Sequence, residues 1–266
     1  MTLKMRPQLN INKKIIAKKS LGQNFIHNKN FLEKLSDKII SNENTDIIEI
    51  GPGTGSLTEY LKRKLFNKLI LIEKDIKIFK ILNKKYKLEK NIKVYNEDAL
   101  ILNLPNLSDS KEIIIVGNLP FNVSSQLLVN WISYSPWPPF YKKMYLMFQK
   151  ELGKRITSKN NNKSYGKLSV LTQSRCSVKE LIKAPSNIFY PKPKVDGIVL
   201  EFTPINSFKD VDLEKLKIIL KTAFENRRKK IKNSLHEYSM HFNDWDKDKD
   251  LRPENLKVEK YCFLAK

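Results

Sequence analysis

The sequence predicts an α/β fold, a mostly parallel and doubly wound sheet that gives way to a small all-α domain. Three observations predict it. Short apolar runs of strand length alternate with stretches of helical spacing across most of the chain. The run at 46–50 leads straight into Gly51, Gly53 and Gly55, as a strand entering a ligand-binding turn does. Beyond Thr203-Pro204 only helical periodicity remains.

In chain order, residues 1–20 are basic and aperiodic, with Lys13, Lys14, Lys18 and Lys19 clustered, and read as an arm that orders on a partner. Phe31, Leu32, Leu35 and Ile39 give 31–40 a helical stripe, and 46–50 is a short apolar strand. Leu57, Leu61 and Leu65 fit a helix, 68–72 a strand, 76–86 a helix and 92–95 a strand. The run 113–116 is a strand buried on both faces, followed by a helix at 126–132 and a strand at 145–148. Residues 170–176 and 195–202 are expected as later strands, antiparallel at one edge. Prolines stiffen the loop Ser135-Pro-Trp-Pro-Pro139, while 159–164 is polar. Leu213, Leu216, Leu220, Ala223 and Phe224 form one apolar stripe, so a boundary near 204 divides domain 1–204 from domain 205–266.

The chain has 266 residues and a formal net charge of +22, an imbalance that seeks a polyanion. Lys, Asn and Ile are abundant together, as AT-rich codons would give, so part of the charge reads as a solvated surface. Codon bias of that kind does not depress the acidic count, which favours nucleic acid over an anionic membrane as the partner. Cys176 and Cys262 are far apart, fitting a reducing cytosol rather than a disulfide framework. With His27, His236 and His241 they lack zinc-ligand spacing, and no metal site is expected. No secretory leader pattern and no apolar run of membrane-spanning length is present.

Glu49-Ile-Gly-Pro-Gly-Thr-Gly55 lies between a predicted strand and a predicted helix. Glycines there let the backbone turn sharply and approach a ligand, although such a cluster alone equally describes a tight turn. The spacing is GxGxG, not the GxGxxG that offers a helix N-terminus to a pyrophosphate, and this favours S-adenosylmethionine over a dinucleotide. Gly51, Gly53 and Gly55 are therefore candidate cofactor residues. Glu73 ends the second strand of the alternation, 22 residues past Gly51, where an acid takes a ribose hydroxyl pair. Asp98 follows the third and is placed to accept from an adenine amino group. Each acid alone would read as solvated; three successive strand ends carrying suitable groups read as a site.

Gly117-Asn118-Leu119-Pro120-Phe121 follows the fourth strand. An exocyclic adenine N6 is a poor nucleophile because its lone pair is delocalised into the ring. Acceptors from the Asn118 side chain and the Leu119 carbonyl would hold that lone pair toward a methyl donor. Pro120 stiffens the turn and Phe121 offers a face for an extruded base. Positioning supplies most of such catalysis, with no strong base required. Standing alone, this stretch would read as an Asn-Pro turn with a core Phe; its place after the cradle makes it the candidate catalytic loop.

Over nearly its whole length the chain resembles the small-subunit ribosomal RNA adenine dimethyltransferases of the KsgA type. The resemblance rests on Lys19-Ser-Leu-Gly-Gln-Asn-Phe25, the Glu49–Gly55 cradle, Ile72-Glu73, Glu97-Asp98-Ala-Leu100 and Asn118–Phe121. It continues through Ser164-Tyr-Gly-Lys-Leu-Ser169, Phe189-Tyr-Pro-Lys-Pro-Lys-Val-Asp196 and Ala223-Phe-Glu-Asn-Arg-Arg-Lys-Lys230. Phe121 stands where Tyr is common, keeping the stacking face and losing a hydroxyl. The resemblance implies a Rossmann-like class I S-adenosylmethionine-dependent methyltransferase domain with a small C-terminal all-α domain. It implies that Asn24, Ile26, Gly51, Glu73, Asp98 and Asn118 contact the cofactor.

It further implies dimethylation of two adjacent adenines in the 3′-terminal hairpin of small-subunit rRNA, in a cytoplasmic enzyme of small-subunit biogenesis. Lys18, Lys19, Lys192, Lys194, Arg227, Arg228, Lys229 and Lys230 are the candidate RNA contacts, on the 30S precursor as partner. A run of this kind is also the ordinary look of a solvated face. A monomer is expected, since no exposed apolar heptad is evident. The alternatives are a large-subunit dimethyltransferase of the macrolide-resistance type and a non-enzymatic RNA-binding assembly factor. A DNA adenine methyltransferase ranks below both, because nothing resembles a target-recognition domain.

Overall fold

The computed structural model describes residues 17–18, 21–241 and 245–266. The elements in chain order are β1 (Phe25–Ile26), α1 (Lys29–Lys38), β2 (Thr45–Ile50), α2 (Thr58–Leu61), β3 (Lys68–Ile72), α3 (Ile76–Tyr86) and β4 (Ile92–Tyr95). Then come β5 (Glu112–Asn118), α4 (Ser124–Ile132), β6 (Tyr141–Gln149), α5 (Lys150–Thr157), α6 (Lys167–Gln173), β7 (Cys176–Ala184), β8 (Phe189–Tyr190) and β9 (Gly197–Pro204). Helices α7 (Leu213–Glu225), α8 (Ile231–Ser234), α9 (Trp245–Asp248) and α10 (Val258–Leu264) close the chain.

Seven strands form the main sheet in the order β4-β3-β2-β5-β6-β9-β7. β2 pairs in parallel with both β3 and β5, β3 with β4, and β5 with β6. β9 runs antiparallel to both neighbours, β6 and β7. The antiparallel strand is thus the penultimate one, and the edge strand β7 returns to the parallel sense. A separate two-stranded ribbon pairs β1 with β8.

Side chains alternate between the two faces, as a strand requires. Ile47, Leu69, Leu71, Ile114 and Val116 pack against α1, α2 and α3 through Phe31, Leu35, Leu61, Ile78 and Leu82. Ile48, Ile50, Ile70, Ile72 and Ile115 face the opposite way, onto Leu127, Leu128, Trp131, Ile156 and Val170 of α4, α5 and α6. Leu216, Ile219, Leu220, Ala223, Tyr261 and Cys262 belong to that second cluster. Tyr165, Phe224 and Tyr261 join ring to ring across it, with centroids 6.1 Å and 5.8 Å apart. The helical segment after 204 therefore shares its apolar core with the sheet rather than enclosing one of its own.

Two expectations are corrected. Val170 to Gln173 lies in helix α6, and strand β7 begins only at Cys176. Ser169, Val170, Leu171 and Thr172 are all buried, and a short helix buried all round shows no 3.6-residue stripe to set it apart from a strand. The helix expected over 57–65 is one turn, Thr58–Leu61, and Leu65 is 66% exposed.

Candidate active site

β2 and β5 lie side by side at the centre of the sheet, and the strand order runs outward from them in opposite directions. Ligands of open α/β sheets bind outside the carboxyl ends of the strands at such a switch point. A cleft opens there. Asn24, Ile26, Gly51, Gly53, Glu73, Asp98 and the stretch Asn118, Leu119, Pro120 and Phe121 all line it. Gly55 does not. A Cβ at Gly55 would meet the Tyr86 hydroxyl at 2.9 Å and Leu82 at 3.1 Å, so its role is close packing of the turn on α3.

The glycine turn is held by its neighbours. Gly53 has φ +55°, and a Cβ there would strike the Phe25 ring at 2.8 Å. The segment from Gly22 to Ile26 thus lies directly over the cradle. It is pinned at its start, where the Lys18 ammonium meets Asp75 at 2.9 Å and the Gln23 amide donates to the same carboxylate at 3.3 Å. Asp75 is also the N-cap of α3, accepting from the Lys77 N–H at 2.9 Å. Asp75 is partly desolvated, and the Lys18 ammonium and these hydrogen bonds outweigh that and hold its carboxyl below the usual range.

Glu73 is buried and uses both oxygens. It accepts from the Gly53 N–H at 3.2 Å and the Asp75 N–H at 2.8 Å. Burial still dominates and raises its pKa against these donors. Glu73 lines the cleft, and each carboxylate oxygen has acceptor capacity beyond its one donor, as a pair of ribose hydroxyls needs. Asp98 accepts from the Leu100 N–H at 3.0 Å and pairs with Lys74 at 2.6 Å. Desolvation pushes its pKa up, and the Lys74 ammonium with the Leu100 donor more than reverses this. Glu49 lies deepest: burial lifts its carboxyl to about 7, opposed by the Thr58 hydroxyl at 2.7 Å.

The lining fits S-adenosylmethionine. It contains the carboxylates Glu49, Glu73, Glu97 and Asp98 against Lys74 as its lysine, and that lysine is tied to Asp98. Such a surface suits a cationic, phosphate-free nucleoside and repels a pyrophosphate. Among the described residues no group of acids, histidines and cysteines could hold a metal ion.

Asn118 ends β5, and its side-chain N–H donates to the Asn24 carbonyl at 2.8 Å. This bond orients the amide and leaves Oδ1 as the free acceptor. Phe121 is half-buried on the cleft wall, and its carbonyl accepts from the Ser124 hydroxyl at 3.3 Å at the start of α4. A Cβ at Gly22 would lie 2.8 Å from Asn122 Oδ1, so the lead-in segment touches the cradle with Phe25 and the loop after β5 with Gly22.

The candidate RNA contacts separate. Lys19 lies outside the described residues, as does all of the basic arm but residues 17–18. Lys18 is engaged with Asp75. Lys192 and Lys194 are exposed in the loop after β8, which pairs with β1 and so stands beside the cleft. Arg227 bonds Glu254 and the Lys163 carbonyl, and Lys230 shares Asp250 with Lys232. Arg228 and Lys229 carry no carboxylate partner among the described residues.

Sequence reasoning missed Asp75, Lys74 and Gln23. An Asp immediately before the helical run at 76–86 is an N-cap signal that would have marked Asp75. Missed too was Asp196, which accepts from the Ser186 N–H at 2.9 Å and fixes the loop bearing Lys192 and Lys194.

The model of the ribosomal RNA adenine dimethylase family matches residues 15–265. A ribosomal RNA small subunit methyltransferase A of Pelagibacter ubique is 38% identical over 255 residues, 94% of this chain and 96% of that protein. Its namesake in Ehrlichia ruminantium is 36% identical, over 97% and 99%. Among solved structures, a dimethyladenosine transferase from Plasmodium falciparum superposes with a TM-score of 0.77 at 23% identity, covering 90% of this chain and 95% of its own. The 23S rRNA methyltransferase ErmE superposes at 0.67 and 19%, covering 91% and 98%. These two likenesses are likenesses of fold.

Proposed function

The chain belongs to the ribosomal RNA adenine dimethylase family, and from that premise we propose that it dimethylates N6 of two adjacent adenines in the 3′-terminal hairpin of small-subunit rRNA. The methyl donor is S-adenosylmethionine, which supplies an electrophilic methyl group when bound. Glu73 takes the ribose hydroxyls on lone pairs left over from the Gly53 and Asp75 donors. Asp98 would accept from the cofactor's adenine amino group, and Asn24, Ile26, Gly51 and Gly53, which line the same cleft, would hold the rest.

Asn118 Oδ1 accepts a hydrogen bond from the target amino group, turning its lone pair toward the methyl donor. The Leu119 carbonyl accepts a hydrogen bond from the second amino N–H of the unmethylated base, and Phe121 stacks on the extruded base. The observation that carries this assignment is the Asn118 side chain, aimed from the end of β5 by its bond to the Asn24 carbonyl in the same cleft as Glu73. Residues 205–266, with Arg228, Lys229, Lys192 and Lys194, dock the small-subunit precursor, and the enzyme works as a cytoplasmic monomer in small-subunit biogenesis. Among the described residues no helix is long and apolar enough to cross a membrane.

Relatives at 36–38% identity carry the small-subunit name, so the large-subunit alternative is not favoured. An assembly factor without catalysis would not need the intact Asn118–Phe121 loop. The test is transfer of labelled methyl groups to unmethylated small subunits, large subunits and plain DNA, with the modified bases mapped. Dimethyladenine confined to the small-subunit 3′ hairpin is expected. Label in the large subunit, or none beside tight cofactor binding, would overturn the assignment.

A further inference from the structure

Helix α3 carries a concentration of charge that the catalytic cleft does not use. Residues 77–90 hold six lysines and one glutamate. Lys77, Lys80, Lys84 and Lys87 recur at steps of three and four, on the face opposite the buried Ile78, Leu82 and Tyr86. All four are exposed, as is Lys90 beyond the helix end, and none of them meets a carboxylate among the described residues. The local acids are already engaged: Glu89 pairs with Lys62 at 2.6 Å and Glu59 with Lys85 at 2.8 Å.

Helix energetics do not account for this face. Cations in the last turn, such as Lys84, complement the helix dipole. Lys77 sits in the first turn, where a cation is disfavoured, and that turn contains no acid. The four lysines extend for about 15 Å along the helix. The buried side of α3 packs on the sheet face of α1 and α2, whereas the loop at 226–232 belongs with helices packed on the other face. The molecule therefore bears two basic regions on opposite sides of its sheet.

Lysine is a flexible point charge suited to phosphate, without the planar fork that reads base edges. The face holds no exposed aromatic side chain on which a base could stack, so it suits a duplex backbone rather than an unpaired strand. The cleft opens at the carboxyl ends of the strands, where α3 begins, whereas Lys84 and Lys87 lie at the other end of α3, and an RNA-rich particle can reach both. We propose that the lysine face of α3 is a second phosphate-binding surface that grips duplex ribosomal RNA separate from the segment entering the cleft. This rests on the function proposed above.

The test compares the wild type with the quadruple variant Lys77→Gln, Lys80→Gln, Lys84→Gln, Lys87→Gln, on two ligands across a salt series. The ligands are intact unmethylated small subunits and the isolated 3′ hairpin. The variant is expected to lose about tenfold or more in affinity for the particle at physiological salt. Its log–log salt slope should fall by about 3.6, the value for four lost phosphate contacts on a double helix. Hairpin affinity and the cofactor Kd should stay within about twofold, because these side chains lie outside the cleft lining.

Equal loss on the hairpin would overturn the proposal by joining this face to the target groove. Unchanged particle affinity and slope would overturn it by leaving the lysines as a solvated surface. Wild-type binding to phosphatidylserine vesicles that the variant lacks, with particle binding unchanged, would assign the face to a membrane instead. Labelling of small subunits by the wild type is the control: its failure strikes the proposed function, whereas its success beside an unaffected variant strikes only this inference.

Discussion

The cleft and the loop at 226–232 are both crowded with charge, but they hold it in opposite ways. In the cleft, Glu73 accepts from backbone N–H groups in the turns after β2 and β3, and Asp98 from the Leu100 N–H after β4 beside its pair with Lys74, so their positions follow largely from the sheet. In the loop, Arg227, Lys230 and Lys232 are met by Glu254 and Asp250, side chains that come from later in the chain. The difference teaches that a catalytic site is placed by backbone geometry. In the loop, the charges open to a phosphate are those the fold leaves without a carboxylate, Arg228 and Lys229 among the described residues.

The comparison can be broken at its strongest point. Glu73→Ala orphans the Gly53 and Asp75 N–H groups and removes the proposed ribose acceptor. Cofactor Kd should rise at least about 100-fold, the scale of losing two hydrogen bonds to a charged group. Titration calorimetry would read it, and a change below about fivefold would mean that the cradle is not placed by this carboxylate.

The two halves of the basic loop sharpen it next. Arg228→Gln with Lys229→Gln should weaken small-subunit binding by about five- to tenfold and leave Tm unchanged, since neither cation meets a carboxylate among the described residues. Arg227→Gln cuts the bonds to Glu254 and the Lys163 carbonyl. Arg227 is only partly buried, so about 1 kcal/mol is at stake, a Tm fall of about 2–4 °C. Identical effects from the two variants would remove the distinction between paired and unpaired charge.

A further effect concerns Glu49, whose carboxyl burial lifts from 4.5 to about 7. A folded-state pKa above the unfolded one means that the native state binds the proton more tightly. The stability this supplies is complete below about pH 4.5 and is lost as pH rises through about 7. Glu49→Gln deletes that titration, so the Tm of the variant relative to the wild type should climb between pH 5 and pH 8. A flat difference across that range would contradict the burial account.

Much of this was legible in the sequence because local patterns and local structure agree. The strands 68–72 and 92–95 and the helix 76–86 coincide with the observed elements, since each carries a clean apolar stripe or run. The glycine turn and Asn118 were legible because a strand must end where the backbone has to turn. What escaped depends on long-range packing. α6 hides its period because it is buried all round. Gly55 counted as a cofactor residue from spacing alone, although its missing side chain makes room for Tyr86, 31 positions away. The pairing of Arg227 with Glu254 spans 27 positions and leaves no trace in either local pattern.

The central claim is that Asn118 acts through a posed acceptor oxygen. Its most direct test is single-turnover methyl transfer by Asn118→Ala to unmethylated small subunits, with cofactor Kd measured on the same preparation. The account predicts a rate at least about 100-fold below the wild type, the scale of losing one posed catalytic hydrogen bond, with Kd within about tenfold. A near-normal rate in that variant would contradict it.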